Sequence, residues 1–237
     1  MIPGILSNKA LWYLARGTGA VSLVLLTAVV GLGIVAHSRA AGLPIPRFAT
    51  TLLHRNLSLL VLAFLAVHIA SSVLDPYASI HLIDALVPFA ASYRPLWLGL
   101  GALAFDLLLA LAITSLLRTR LGLRWWRGIH WLAYACWPIA LVHALGTGSD
   151  VRATWFLWLV AASVVTVVAS AGWRLAETPS LTVRWRVVAA CAVLLAPLAL
   201  LGWAESGPLR AGWAAHAGTP APLRHSGLAL RLDGGRA

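Results

Sequence analysis

Charged residues are scarce in this chain of 237 residues: only 11% are Asp, Glu, Lys or Arg, and just seven are acidic. Hydrophobic residues make up 60%, and the mean hydropathy is +0.86. A soluble domain cannot bury that much apolar surface, so the composition excludes a soluble globular protein and indicates an integral membrane protein. The net charge of +11 would suggest nucleic-acid binding in a soluble protein, whereas here arginine-rich cytoplasmic loops explain it better.

Lysine and cysteine are also rare. Lys9 is the single lysine against 17 arginines, a bias that indicates a GC-rich bacterial genome. The two cysteines, Cys136 and Cys191, both fall in apolar segments, so no disulfide framework is expected. No C-x-x-C-H sequence occurs, which excludes covalent attachment of a c-type haem.

Six apolar segments are long enough to cross a bilayer, and they must be helical because a helix satisfies its own backbone in lipid. The first is too long for the apolar region of a signal peptide and has no basic segment before it, so we expect it to be retained. The predicted fold is therefore all-α, a polytopic bundle of six transmembrane helices within residues 1–203. The predicted spans are Leu11–Ala36, Thr51–Val73, Leu96–Leu117, Ile129–Leu145, Ala153–Trp173 and Val187–Trp203.

The distribution of arginine between the loops predicts the orientation of the bundle. One set of loops carries ten arginines, while the opposite side carries Lys9, Arg16, Arg94 and Arg152, the tail, and most of the acids. The positive-inside rule places the arginine-rich loops in the cytoplasm and both termini outside, so the expected location is the plasma membrane of a bacterium. The ten residues are Arg39, Arg47, Arg55, Arg118, Arg120, Arg124, Arg127, Arg174, Arg184 and Arg186.

Two segments on the predicted outer side lie outside the spans. The loop Leu74–Pro95 contains the stretch HLIDALVPF, which fits either a short helix on the membrane interface or an irregular loop. The tail, residues 204–237, is rich in Gly, Ala, Pro and Arg and has no apolar core of its own. We therefore expect an extracytoplasmic, poorly ordered tail.

Four histidines within the apolar helices are the main indication of function. His54 and His68 are 14 residues apart in the second predicted helix, and His130 and His143 are 13 apart in the fourth. These separations span about 20 Å of helix, a large part of the ~30 Å hydrocarbon core. Because both helices run in the same direction, His54 shares the inner depth with His130, and His68 the outer depth with His143. An imidazole on each face of an iron would give two six-coordinate b-type haems.

A packing role or a different metal fits these histidines less well. A lone intramembrane histidine is often only a helix-packing residue, but four matched in depth are hard to explain that way. Zinc needs four ligands around one ion, and no cysteine or methionine accompanies the pairs as copper would favour. Fourteen residues leave His68 within about 40° of His54, whereas thirteen put His143 out of phase with His130 on an ideal helix. We therefore predict that the fourth helix is distorted at Pro138.

Several charged residues are candidates for a supporting role. Arg16 lies inside the first span and either pairs with propionates of an outer haem or extends to the interface. Arg55 adjoins His54, and Arg127 precedes His130 by three residues, so both could neutralise inner propionates or simply provide positive-inside charge. Asp106 lies in the middle of the third predicted helix and has no visible partner. Ordinary surface positions are expected for His37, His81, His216 and His225.

These features together resemble a known family. They are the two histidine pairs, the sequence RGTGAVSLVLLT beginning at Arg16, the outer-loop pattern LDPY…LVPF…YRPLWLGLG and the TSLLR exit of the third helix. Over roughly Leu11 to Trp173 the chain resembles the ferric reductase-like transmembrane domain. That haem module is shared by ferric reductases, NADPH oxidases and the bacterial haem subunit of periplasmic methionine sulfoxide reductase. The resemblance implies that His54 with His130, and His68 with His143, ligate two b-type haems.

The resemblance also implies an activity, but not a complete reductase. Ferric reductases and oxidases of this kind continue into flavin- and NADPH-binding domains, whereas this chain has no G-x-G-x-x-G motif and no room for either. We expect single electrons to pass from a cytoplasmic flavoprotein or a membrane quinol to an outer acceptor, namely ferric iron, a flavoprotein, a reductase partner or oxygen. The chain would be either a ferric reductase-like oxidoreductase module or a cytochrome b subunit. The alternative from another class is a non-redox membrane protein, such as a metal transporter that uses the histidines as ligands.

Overall fold

A computed structural model describes residues 8–37, 46–148, 150–177 and 182–220, and within these ranges the chain forms helices and short connections without any strand. In chain order the helices are α1 (Asn8–His37), α2 (Arg47–Leu74), α3 (Leu82–Leu86), α4 (Pro95–Leu116), α5 (Arg118–Leu121), α6 (Leu123–His130), α7 (Ala133–Thr147), α8 (Thr154–Ala176), α9 (Val183–Ser206) and α10 (Trp213–His216).

The predicted all-α fold with six membrane-spanning helices is confirmed. Six segments among the described residues are long and apolar enough to cross a membrane, and five of them begin and end within four residues of the prediction. The fourth begins at Leu123 rather than Ile129, because the short helix α6 adds to its start. The six segments are Ala10–Val35, Phe48–Leu74, Pro95–Leu116, Leu123–Thr147, Thr154–Ala176 and Val183–Ser206.

Helix α1 lies at the centre of the bundle and packs against α2, α7 and α8. Its buried leucine and valine side chains form the apolar core together with Val61 of α2, Leu141 of α7 and Phe156 of α8. One hydrogen bond crosses this core, from the indole Nε1 of Trp137 to the hydroxyl of Thr27, at 2.9 Å. Helix α4 packs on α7, and α9 packs on α8 at the edge. The core therefore fixes α2 and α7 on either side of α1.

The loop between α2 and α4 contains a short helix, as one of the two sequence alternatives proposed. Helix α3 covers five residues of the HLIDALVPF stretch. The carboxylate of Asp84 accepts a hydrogen bond from the backbone N–H of His81 at 2.9 Å, which caps the start of the helix. Leu82 and Ile83 are exposed, while Asp84 is buried.

The segment that follows α9 packs against the bundle as far as residue 220. The side chain of Thr219 is buried and accepts a hydrogen bond from Nε of Arg94 at 2.9 Å. The indole of Trp213 donates to the carbonyl of Gly146 at 3.0 Å. Composition did not reveal these contacts because they depend on single side chains that dock onto another part of the chain. Arg39, His225 and residues 221–237 lie outside the described residues, as do the side chains of Lys9, His37 and Arg47.

Candidate functional site

The four histidines lie on three helices: His54 and His68 on α2, His130 at the end of α6, and His143 on α7. His54 and His130 have ring centroids 6.4 Å apart, with their planes inclined at 62°. This is the inner pair that depth predicted, while the pairing of His68 with His143 stays a prediction. Within the described residues, α2 and α7 share no extended helix–helix contact, so the two histidine-bearing faces are not closed by packing.

The separation of the His54 and His130 rings fits a metal held between two imidazoles. Metal–nitrogen bonds of roughly 2 Å, with each ring nitrogen about 1 Å from its centroid, place two opposed rings about 6 Å apart. The measured 6.4 Å is close to that value. In the described part of the chain, no three His, Cys, Asp or Glu side chains form a group that could hold a metal ion. Each pair therefore offers two protein ligands, which suits a b-type haem and not a zinc ion.

Three of the four histidines are oriented by hydrogen bonds to the backbone of a neighbouring helix. A carbonyl oxygen can only accept a hydrogen bond, so in each case Nδ1 must carry the proton. The lone pair is then on Nε2, the tautomer in which a neutral histidine can bind a metal through that atom. The bonds join Nδ1 of His54 to the carbonyl of Val29 at 3.1 Å, Nδ1 of His68 to Ala15 at 2.7 Å, and Nδ1 of His143 to Trp97 at 2.8 Å.

His130 differs from the other three. Its Nδ1 is buried and has no hydrogen-bond partner among the described residues. The ring instead stacks on the indole of Trp126, with centroids 4.8 Å apart and planes inclined at 29°. The Trp126 Nε1 donates to the hydroxyl of Ser115 at 3.3 Å, and the guanidinium of Arg118 lies over the indole ring at 5.7 Å. Stacking rather than hydrogen bonding therefore holds this imidazole.

The fourth span is wound irregularly between its two histidines, which resolves their 13-residue spacing. The backbone N–H groups of Leu132, Tyr134 and Ala135 each bond to the carbonyl three residues before. Such 3₁₀ winding advances about 120° per residue instead of about 100°, so a few residues recover most of the missing phase. The distortion exists as predicted, but it lies before Pro138. Helix α7 continues through that proline, since a proline removes only one backbone hydrogen bond.

The predicted supporting residues lie in different environments. Arg16 forms an ion pair with Asp150, and its guanidinium lies 3.8 Å from the ring centroid of Trp12. Arg55 and Arg127 are exposed near the His54–His130 end. Asp106 is half-buried on α4, and no described residue forms a hydrogen bond or ion pair with its carboxylate.

A buried arginine at the His68–His143 end was missed by sequence reasoning, which counted it only as outer-loop charge. Arg94 is 6% exposed and has a left-handed backbone, with φ of 44°. Its Nη1 donates to the carbonyl of Thr147 at 2.9 Å, and its Nε donates to Thr219. Burial raises the pKa of the neighbouring Tyr93, so this phenol stays neutral beside the guanidinium. The signal in the sequence was an arginine followed directly by the proline that begins α4.

An aromatic cluster connects the tail to this end of the site. The Trp97 ring has the Trp203 ring 5.4 Å away and the Trp213 ring 5.2 Å away, measured between centroids. The carbonyl of Trp97 is the one that holds His143. A displacement of the tail would therefore be transmitted through one residue to a predicted haem ligand.

Comparison with protein families identifies the family of this chain. The model of the ferric reductase like transmembrane component matches residues 16–141, just over half of the chain. The matched range includes Arg16, His54, His68 and His130 and ends two residues before His143. Comparison with curated proteins and with solved structures gave no match. The chain therefore belongs to the family of ferric reductase like transmembrane components.

Proposed function

We propose that this protein transfers electrons across the membrane through two b-type haems, one ligated by His54 and His130 and the other by His68 and His143. Membership of the ferric reductase like family supports transmembrane electron transfer in general. The observation that carries the more specific proposal is the pairing of four histidines at two depths. Three of them have Nδ1 committed to a backbone carbonyl and Nε2 left as a ligand.

The residues around the pairs perform three tasks. The backbone carbonyls orient the imidazoles, so that little reorganisation is needed when an electron arrives or leaves. The apolar side chains of α1, α2 and α7 exclude water between the two levels. The Trp97 cluster and the docked tail cover the His68–His143 end. When bound, a six-coordinate haem supplies reversible one-electron transfer and offers no open coordination position for a substrate.

We also propose the direction of transfer. With the arginine-rich loops in the cytoplasm of a bacterium, the His54–His130 pair is the inner one and both termini lie outside. An electron that moves outward then gains about 2.3 kcal/mol per 100 mV of membrane potential. The donor would be a cytoplasmic flavoprotein or a membrane quinol. The acceptor would be ferric iron, a flavoprotein or a reductase partner at the outer face.

Three arginines are candidate partners of haem propionates in this scheme. Exposed Arg55 and Arg127 lie next to the inner histidines in the chain and are available to carboxylates. Arg16 lies at the outer end, where Asp150 already neutralises part of its charge. We therefore expect Arg16 to contribute less to haem binding than its position in the first span alone would suggest.

Vesicles provide the test of electron transfer. Purified protein is reconstituted in liposomes that contain ferricyanide, and dithionite is added outside. We expect the enclosed ferricyanide to be reduced far faster than in protein-free liposomes, and the His143→Ala variant to lose most of this gain. A haem-loaded protein that gives no acceleration would refute transmembrane transfer. A folded but colourless protein would favour the non-redox alternative, such as metal transport.

A further inference from the structure

Three of the four histidine rings lie directly against a glycine of a neighbouring helix. A methyl group built on Gly101 would lie 2.4 Å from Cε1 of His143. One on Gly19 would lie 3.0 Å from the ring of His68, and one on Gly33 would lie 3.3 Å from the ring of His54. Real Cβ atoms hardly ever approach another heavy atom to within 3.0 Å, so a methyl group on Gly101 would clash with His143. A methyl group on Gly19 or Gly33 would be tight, and the imidazole beside it would have to move by a few tenths of an ångström.

The same local arrangement recurs at all three contacts. In each one, the carbonyl that accepts the Nδ1 hydrogen bond belongs to the residue four positions before the glycine. That carbonyl is also the regular partner of the glycine N–H in an α-helix, and its second lone pair remains available. Because glycine has no side chain, the imidazole can approach close enough to donate a hydrogen bond to that lone pair. The three sets are Ala15, Gly19 and His68; Val29, Gly33 and His54; and Trp97, Gly101 and His143.

The two glycines of α1 have the same separation along the chain as the two histidines that they contact in α2. Gly19 and Gly33 are 14 residues apart in α1, as are His54 and His68 in α2. The two helices pack against each other with the order reversed, so that Gly19 meets His68 and Gly33 meets His54. One rigid helix thus presents two matching recesses to the two imidazoles of its neighbour.

The fourth histidine shows what happens where the glycine is absent. No described glycine lies against the ring of His130. Its Nδ1 correspondingly has no hydrogen-bond partner among the described residues.

We propose that Gly19, Gly33 and Gly101 are positioning residues for the haem ligands. Each keeps a recess open in which an imidazole rests against the helix backbone and donates a hydrogen bond from its Nδ1–H to a carbonyl, so that Nε2 would be available to ligate a haem iron. This inference rests on the proposed function, because it presupposes that these imidazoles bind haem.

Alanine variants test the inference with matched controls in the same helix. Gly31→Ala controls for Gly33→Ala, because its methyl group would be equally crowded at 3.3 Å, but by the hydroxyl of Ser170 rather than by a histidine. Gly17→Ala controls for Gly19→Ala, because nothing lies within 4 Å of its methyl group. All four changes improve helix propensity, so a general loss of helix stability is not expected from any of them.

The measurements are the electron paramagnetic resonance spectrum of the oxidised protein and the rate of haem loss to apomyoglobin. We expect Gly19→Ala and Gly33→Ala to shift the low-spin signal of one haem each, whereas both controls keep the parent spectrum. Gly101→Ala, with the shortest contact, should release haem about tenfold faster or more. The circular dichroism spectrum reports whether each variant folds. If Gly101→Ala does not fold, the comparison of Gly33→Ala with Gly31→Ala still tests the role of the glycines.

Two different failures are distinguishable. A parent protein that purifies without haem would overturn the proposed function. A parent protein with two haems, together with Gly19→Ala and Gly33→Ala spectra identical to those of their controls, would overturn the role of the glycines alone.

Discussion

The two histidine pairs are built differently, although both use α2 and the fourth membrane-spanning segment. At the His68–His143 end, both rings donate to backbone carbonyls, and buried Arg94, the Trp97 cluster and the docked tail surround them. At the His54–His130 end, only His54 has such a bond, and His130 is held by the stacked indole of Trp126. Exposed arginines lie near that end, where the other end has the Trp97 cluster and the docked tail.

This difference separates a fixed site from an adaptable one. Hydrogen bonds from the second ring nitrogen fix the orientation of a ligand and raise its basicity. The fully bonded pair should therefore hold its haem tightly. The pair that contains His130 should exchange haem more readily and respond more to its surroundings, which would suit the end that we propose receives electrons.

The largest effect is expected from removal of a ligand. His68→Ala or His143→Ala should abolish one haem and leave the His54–His130 haem in place, and His54→Ala or His130→Ala should do the reverse. The haem content per chain, measured as the pyridine haemochrome, checks this. His216→Ala is the control, because that histidine is exposed in the tail. Loss of both haems from every single variant of a folded protein would contradict two independent pairs.

Loss of the buried arginine should weaken the covered end specifically. Arg94→Met removes the hydrogen bonds that Arg94 donates to the carbonyl of Thr147 and to the hydroxyl of Thr219, at a cost of about 1–3 kcal/mol for the two together. We expect a lower melting temperature and faster loss of the His68–His143 haem. Arg210→Met is the matched control, because Arg210 is exposed. Equal melting temperatures for the two variants would mean that the tail does not stabilise this end.

A smaller effect is expected at the other end from the stacked indole. Trp126→Ala removes an aromatic contact worth about 1 kcal/mol, which corresponds to roughly fivefold faster haem loss from the His54–His130 site. Trp125→Ala serves as the control, since the Trp125 side chain is 73% exposed. The comparison of rates is made on the oxidised protein. If both variants lose haem at the same rate, stacking does not hold His130.

The sequence predicted the six helices because apolar length is a local property of the chain. The 13-residue spacing of His130 and His143 predicted a distortion of the helix between them. The prediction placed this distortion at Pro138, whereas the 3₁₀ hydrogen bonds lie before that proline. Such bonds depend on the packing of α6 and α7 and leave no residue signature.

Long-range contacts were the part that sequence reasoning could not supply. The docking of Trp213 and Thr219 joins residues far apart in the chain. The role of Gly19, Gly33 and Gly101 was overlooked, although the 14-residue spacing of the first two repeats that of His54 and His68. That coincidence becomes meaningful only when the helices are known to pack side by side.

The most direct test of the account is the haem content of the purified parent protein together with its low-spin electron paramagnetic resonance spectrum. The account predicts two b-type haems per chain and two separate low-spin signals, one of which disappears in His143→Ala and the other in His130→Ala. A folded parent protein without haem, or with a single haem that survives all four histidine substitutions, would contradict it.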